Sequence, residues 1–223
     1  DHPGLSAKAI IAAVNASRER LRIETIDLLF LHIDDPTVDF EETLVAVDRL
    51  IRDGAVRAFG GSDHTGNRLI QARVACGMLG VAPMVAVQNQ YSLMHRREYE
   101  TDLAHVAASQ QLGVLPRFPL AAGYLTGKYR TRADLEASRR TGEVSKHFGR
   151  RGRRVIAVLD DVARAHGVAL GTIAIAWLLT KPKIVAPIAS ATTVEQVAAM
   201  LAAPGIQLTR AQLAELDRAS AGS

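Results

Sequence analysis

The chain has 223 residues, of which 48% are hydrophobic and 22% are charged, and its formal net charge is +4 at pH 7. This length and balance are typical of a globular protein, so we predict a single domain over residues 1–223. No apolar stretch reaches the roughly 18 to 20 residues of a membrane span, and no basic-then-apolar signal segment opens the chain. We therefore expect a cytoplasmic protein without membrane contact.

The positive charge is concentrated in one tract. Residues 128–154 contain ten Lys and Arg against three Asp and Glu, which leaves 17 basic and 20 acidic residues elsewhere. Proteins that bind single-stranded nucleic acid stack bases on interleaved aromatic residues, and this tract has only Tyr129 and Phe148. We interpret it as a solvated loop and expect no nucleic-acid partner. The single cysteine, Cys76, is predicted to be a buried thiol.

Apolar residues recur with helical spacing over 5–21 and lead into a strand over 25–31. The segment "DFEETLVAVDRLIRDG" then predicts a helix, with Asp39 and Glu42 as a capping box and Gly54 as its end. The alternation continues to the C-terminus. Further strands are predicted at 55–62, 84–89, 113–118 and 184–188, and further helices at 66–79, 97–111, 152–166, 169–180, 193–202 and 210–220.

Five strands that alternate with helices indicate an α/β fold with a parallel sheet and right-handed crossovers. A doubly wound sheet would place G-x-G-x-x-G after an early strand, and the sequence contains no such motif. Polar residues instead follow successive strands: His32, Ser62-Asp63-His64, Gln88-Asn89-Gln90, Arg117 and Ser190. In a (β/α)8 TIM-type barrel such residues converge on the active site, so we predict this barrel, with about five of its eight β/α units visible.

Five segments in order resemble motifs of the aldo-keto reductases, a family of β/α barrels that reduce aldehydes and ketones with NADPH. They are "IETIDLLFLHIDDP", "EETLVAVDRLIRDGAVRAFGGSD", "VAVQNQYSL", "PLAAGYLTGKY" and "VAPIASATTVEQV". The resemblance extends over nearly the whole chain. It implies an NADP(H)-dependent oxidoreductase that acts on a small-molecule carbonyl substrate, with NAD(H) open as the alternative cofactor.

By this resemblance, His32 is the catalytic histidine, whose neutral imidazole would hydrogen-bond the carbonyl oxygen and orient the substrate. The family's catalytic aspartate, tyrosine and lysine have no match in residues 1–223, so we expect them to precede residue 1 or to be absent. Their absence would favour a nicotinamide-binding or regulatory module without redox turnover, or a derived barrel with non-redox chemistry. An incomplete barrel would also expose apolar strand edges, and for that case we expect a homo-oligomer.

The resemblance also implies a cofactor site. Ser62, Asp63 and Gln88 match residues that bind the nicotinamide carboxamide, although Asp63 replaces the usual asparagine. Arg117 stands where an aromatic residue commonly stacks on the nicotinamide ring. The other cofactor-binding positions are Leu120, Ala121 and Lys128 at the phosphates and Ser190, Thr192 and Gln196 at the adenosine end.

The remaining polar patterns have structural explanations. Asp34 and Asp35 are predicted to form a turn after the first strand, because short acidic side chains cap backbone amides. Thr192 and Glu195 are predicted to form a capping box at the start of a helix. The histidines are scattered without the spacing of metal ligands, so we assign no metal.

Overall fold

The structure is a computed structural model that describes residues 4–136 and 141–222. Among these residues, no single helix is long and apolar enough to cross a membrane. Only the pair Arg150–His166 and Leu170–Leu179, which is bent by 94°, reaches that length and composition when both helices are taken together.

The described residues form two compact units. Unit 1 contains the chain up to Asn89 together with Asp102–Val114, and unit 2 contains Gln90–Thr101 together with the chain from Leu115 onward. The single domain over residues 1–223 stays a prediction.

Unit 1 is built on a parallel sheet with strand order β1-β2-β3-β4. Its strands are β1 (Ile26–Leu31), β2 (Val56–Ser62), β3 (Ala86–Gln88) and β4 (Gly113–Val114). Its helices are α1 (Ala7–Leu21), α2 (Phe40–Arg52), α3 (Gly66–Leu79) and α4 (Ala104–Ser109). A π-helix over Tyr99–Leu103 leads into α4, so the helix predicted at 97–111 forms in two parts.

Helix α2 shows how local sequence sets an element in unit 1. Asp39 caps its first turn by accepting a hydrogen bond from the Glu41 amide at 3.0 Å, and the chain leaves the helix through Gly54 at φ +73°. The predicted capping box is wrong, because Glu42 Oε1 accepts instead from the Ala7 amide at 2.8 Å. Glu42 therefore satisfies the first turn of α1 rather than that of its own helix.

The core of unit 1 lies between the sheet and these helices. Its fully buried large side chains include Leu44, Phe59, Leu69 and Leu112. Cys76 is buried as predicted, and burial raises the pKa of its thiol. The thiol is therefore held in its neutral, unreactive form at neutral pH.

Unit 2 consists mainly of helices. They are α5 (Arg132–Glu136), α6 (Thr141–Ser145), α7 (Arg150–His166), α8 (Leu170–Leu179), α9 (Val194–Leu201) and α10 (Arg210–Ser220), with 3₁₀ turns at Ala121–Thr126 and Ala203–Gly205. Trp177 of α8 is fully buried, and its indole N–H donates to Asp217 of α10 at 2.9 Å. Lys181 donates to the same carboxylate at 2.8 Å, which joins α8 to α10.

The predicted strand at 184–188 is wrong. Only single bridges form there, including one between Ile188 and Arg117, and the Ile188 amide donates to the Pro116 carbonyl at 2.8 Å. The physical reason is Pro187, which has no N–H to donate to a ladder. Pro116 likewise follows the short strand β4, which ends at Val114.

The interpretation of 128–154 as a loop is also wrong for its described part, which forms α5, α6 and the start of α7. Some of its arginine side chains bind acidic side chains or carbonyl oxygens of the same chain. Arg130 forms a bidentate pair with Asp160 at 2.6 and 2.7 Å, and Arg151 donates to the Ser220 carbonyl at 2.7 Å. Residues 137–140 of the tract lie outside the described residues.

Candidate functional site

Three of the predicted site residues lie in one row at the carboxyl ends of neighbouring strands. Leu31 of β1 pairs with Gly61 of β2, and Ser62 pairs with Gln88 of β3. His32 follows Leu31 directly, so it reaches the same edge of the sheet as Ser62 and Gln88. Unit 1 therefore brings the predicted catalytic histidine to the edge that carries the predicted carboxamide-binding residues.

Ser62 and Gln88 contact each other directly. The Ser62 hydroxyl donates to Gln88 Oε1 at 3.2 Å. Ser62 is fully buried, whereas Gln88 is half-buried and His32 is exposed. The hydroxyl thus fixes the orientation of the Gln88 amide and leaves the amide nitrogen of Gln88 as a donor toward a ligand.

Asp63 turns the chain away from β2. Its backbone is in the left-handed region at φ +53°, where Asp and Asn are the commonest residues after Gly. Its amide donates to the Gln88 carbonyl at 3.1 Å, which extends the link between the two strands. Neither Ser62 nor Asp63 caps α3, because Thr65 has that role and accepts from the Arg68 amide at 3.2 Å.

His64 and Asn89, predicted to lie at strand ends without an individual role, support this turn. The buried His64 ring makes a 2.8 Å hydrogen bond from Nδ1 to the Ser62 carbonyl, and the Asn89 side-chain amide donates to the His64 carbonyl at 3.3 Å. Gly61 makes room for the ring, since a Cβ there would lie 3.1 Å from it. The pair Gly61 and His64 next to Ser62 is the sequence signal that indicates this packing.

His64 is held as a neutral donor. Burial lowers the pKa of its imidazole, and its Nε2 atom has no hydrogen-bond partner among the described residues. Because a carbonyl oxygen can only accept, Nδ1 carries the proton in the bond to Ser62. The neutral tautomer therefore positions the backbone of Ser62.

The other predicted cofactor residues belong to unit 2, where Arg117 lies on an extended segment. Arg117 bridges to Gln90 and to Ile188, and its carbonyl accepts from the Tyr91 amide at 3.2 Å. The guanidinium lies 5.0 Å from the centre of the Phe118 ring, which is partly exposed. Arg117 and Phe118 thus form a cation–π pair within unit 2.

Leu120 and Ala121 lie in a tight turn. The Ala121 amide donates to the Phe118 carbonyl, and the Leu120 carbonyl accepts from Gly123, both at 2.9 Å. Ala121, Ala122 and Gly123 all have positive φ angles, of 49°, 56° and 96°. A Cβ at Gly123 would lie 3.4 Å from the ammonium of Lys128, so glycine lets this exposed cation lie over the turn.

Ser190, Thr192 and Gln196 are exposed at the start of α9. The predicted capping box of Thr192 and Glu195 is wrong, because the N-cap of α9 is Thr193. Thr193 accepts from the Gln196 amide at 3.3 Å, while Gln196 Oε1 accepts from the Thr192 amide at 2.8 Å. Gln196 therefore orders the segment that leads into α9.

Comparison with a solved structure shows the fold class of this chain, and comparison with related sequences shows its family. A thermostable aldo-keto reductase crystallised with the inhibitor epalrestat superposes on 96% of this chain and 67% of its own, with a TM-score of 0.74 and 24% sequence identity. With the parallel sheet of unit 1, this likeness shows an α/β fold of the TIM-barrel class.

The Aldo/keto reductase family model matches residues 1–221, and the chain belongs to that family. It is 30% identical to a probable voltage-gated potassium channel subunit beta of Arabidopsis thaliana, over 87% of this chain and 61% of that protein. It is also 30% identical to an aldo-keto reductase of Fusarium vanettenii, over 92% of this chain and 55% of that protein. The chain thus spans between about half and three fifths of the length of these relatives.

Proposed function

We propose that the protein is an NADP(H)-dependent oxidoreductase that reduces a small aldehyde or ketone, with NAD(H) as the alternative cofactor. The observation that carries the proposal is the row of His32, Ser62 and Gln88 at neighbouring strand ends in a chain of the aldo/keto reductase family. The bound nicotinamide would supply the hydride, and the residues of this chain would hold the cofactor and the substrate carbonyl.

The residues of unit 1 fit a nicotinamide carboxamide. That group needs one donor for its oxygen and acceptors for its NH₂, and the Gln88 amide has a donor nitrogen that Ser62 leaves available. The Asp63 carboxylate can accept from the NH₂, although it cannot donate when it is ionised. The replacement of asparagine by Asp63 is therefore compatible with binding.

The residues of unit 2 fit the charged part of a dinucleotide. Lys128 is an exposed cation over the turn that contains Leu120 and Ala121, and Gly123 leaves the space beneath its ammonium. A phosphate is stabilised by such a cation. Thr192 and Gln196 present polar groups at the ordered start of α9, where we place the adenosine end.

His32 would act on the substrate. It is exposed at the end of β1, so its imidazole is accessible to a carbonyl oxygen. A neutral imidazole donates one hydrogen bond and would orient that oxygen for hydride attack on the adjacent carbon. The proposal assigns no proton donor within residues 1–223.

Titration of NADPH, followed by fluorescence and calorimetry, tests the cofactor site. Gln88→Ala should weaken binding about tenfold or more, which corresponds to the loss of roughly one good hydrogen bond. Gln71→Ala, on the exposed surface of α3, is the matched control and should leave the dissociation constant unchanged. Absence of NADPH binding, or equal binding by the Gln88 variant, would contradict the proposed site.

A second candidate is a nicotinamide-binding regulatory module without redox turnover. It is favoured by relatives in Arabidopsis thaliana, Oryza sativa and Schizosaccharomyces pombe that are named as probable or putative potassium channel beta subunits. Turnover of a generic aldehyde distinguishes the two functions. If the protein is an oxidoreductase, the wild type should turn over the aldehyde, and His32→Ala should lower kcat/KM by roughly a hundredfold or more. If it is a regulatory module, both the wild type and His32→Ala should bind NADPH and show no turnover.

A further inference from the structure

Helix α2 carries a charged and apolar stripe on its outward face. Its inward side chains, among them Leu44, Val47 and Leu50, are buried in unit 1. The outward face presents Glu41 and Arg49, with Val45 midway between them at 50% exposure. Val45 is therefore exposed between an acid one turn before it and a base one turn after it.

A groove with an apolar lining lies beside this stripe. Its volume is about 370 Å³, and its apolar lining is Ala7, Ile11, Val45, Ala46 and Leu79. Charged side chains at its rim include Glu41 and Arg49. Arg49 is only weakly engaged within its own helix, since it lies 3.8 Å from Asp53 and both side chains are more than half exposed. Glu42 also lines the groove, but its carboxylate accepts from the Ala7 amide, so Glu41 and Arg49 are the rim charges that we consider available to a partner.

The charges on the outward face of α2 are complementary to those of a second, antiparallel copy of the same helix. Glu41 precedes Val45 by four residues and Arg49 follows it by four, so each charge lies about 6 Å from the valine along the helix axis. If a second α2 runs antiparallel with the two Val45 side chains on the twofold axis, each Glu41 faces the Arg49 of the other copy. Twofold contacts of this isologous kind are the commonest in protein oligomers.

We propose that this protein forms a homodimer through the outward face of α2, with Val45 on the twofold axis and two reciprocal pairs between Glu41 and Arg49. The contact lies on a helix rather than on the strand edges that the sequence suggested for self-association. It is independent of the proposed cofactor site. The Val45 side chain of each copy packs against the apolar groove of the other copy, and the charge pairs set the antiparallel orientation of the two helices.

Sedimentation velocity over a wide concentration range tests this surface. The full chain should show a monomer–dimer equilibrium. Glu41→Arg places Arg against Arg at both ends of the contact, and Arg49→Glu places Glu against Glu, so each variant should weaken self-association about tenfold or more. Both residues are exposed, and we expect both variants to fold normally.

An equimolar mixture of the two single variants provides the sharper result. One copy then carries two bases and the other two acids, so attractive pairs form at both ends and a heterodimer of about wild-type affinity should appear. Glu19→Arg and Arg20→Glu, on the exposed end of α1, are the matched controls and should dimerise as the wild type does. A monomeric wild type, unchanged single variants, or a mixture that stays monomeric would each overturn the proposal.

Discussion

At the scale of single residues, His64 makes the stability of the fold depend on pH. The ring is buried, its Nδ1 atom bonds to the Ser62 carbonyl, and burial lowers the pKa of the imidazole from its ordinary value of 6.5. The unfolded chain therefore binds a proton more readily than the folded chain below that pH. It follows that the stabilising contribution of neutral His64 is present above about pH 6.5 and is lost as the pH falls.

We predict that the free energy of unfolding decreases between pH 6.5 and pH 5, and that His64→Asn makes this decrease less steep. Asparagine retains a donor near the position of Nδ1 but does not titrate. Urea unfolding at a series of pH values measures the slope. Burial also lowers the pKa of His147, so part of the slope should remain. The control is His105→Asn on the exposed side of α4, and an equal effect of both substitutions would contradict the prediction.

At the scale of secondary structure, strand β2 depends on close contact with its neighbours. A Cβ added to Gly60 would lie 2.5 Å from the Ala86 carbonyl oxygen and 2.8 Å from the Phe30 ring. Gly60 pairs with Ala86 of β3 and with Phe30 of β1, so it is enclosed on both sides. Glycine at this position lets the strands whose ends carry His32, Ser62 and Gln88 pack together.

We predict that Gly60→Ala lowers the free energy of unfolding by about 1–3 kcal/mol, because the added methyl group has to displace backbone atoms. Gly77→Ala in α3 is the matched control, since a Cβ there meets nothing within 4 Å. It should stabilise the protein by up to about 1 kcal/mol through higher helix propensity. Denaturant unfolding compares the two variants, and equal stabilities would show that the contact around Gly60 has no cost.

At the scale of the whole molecule, the net charge of +4 should influence binding of a phosphorylated cofactor. We predict that the dissociation constant of NADPH rises with ionic strength, because salt screens exposed cations such as Lys128. Lys128→Gln should make the salt dependence shallower, whereas Lys8→Gln, on the exposed face of α1, should not. Calorimetry in rising NaCl provides the measurement, and an affinity that is independent of salt would contradict a role for Lys128 at the phosphates.

Much of the architecture is local and could be predicted. The predicted helix at 66–79 has the same bounds as α3, and α1, α2 and α7–α10 lie within a few residues of their predicted positions. Their apolar periodicity and end residues act over single turns, so a sequence shows them directly. The order of motifs also indicated the family, which is confirmed.

Two of the wrong predictions have different causes, a distant partner in one case and a residue of the segment itself in the other. Glu42 was expected to cap its own helix, yet the Ala7 amide, 35 residues away, takes its carboxylate. The segment at 184–188 is apolar enough for a strand, but Pro187 removes a donor and only isolated bridges form. The first outcome depends on a hydrogen bond that no local pattern specifies, whereas the second follows from a proline within the segment itself.

By itself, the sequence determined the parallel α/β class, the family, and the placement of His32, Ser62 and Gln88 at strand ends, because strand and helix periodicity and motif order are properties of the linear chain. Only the tertiary structure decided that Ser62 is buried and orients Gln88, that His64 and Asn89 support the turn after β2, and that α2 keeps Val45 on its outer face. Burial and hydrogen bonds between distant residues depend on strand register and on helix packing, which exist only in the folded protein.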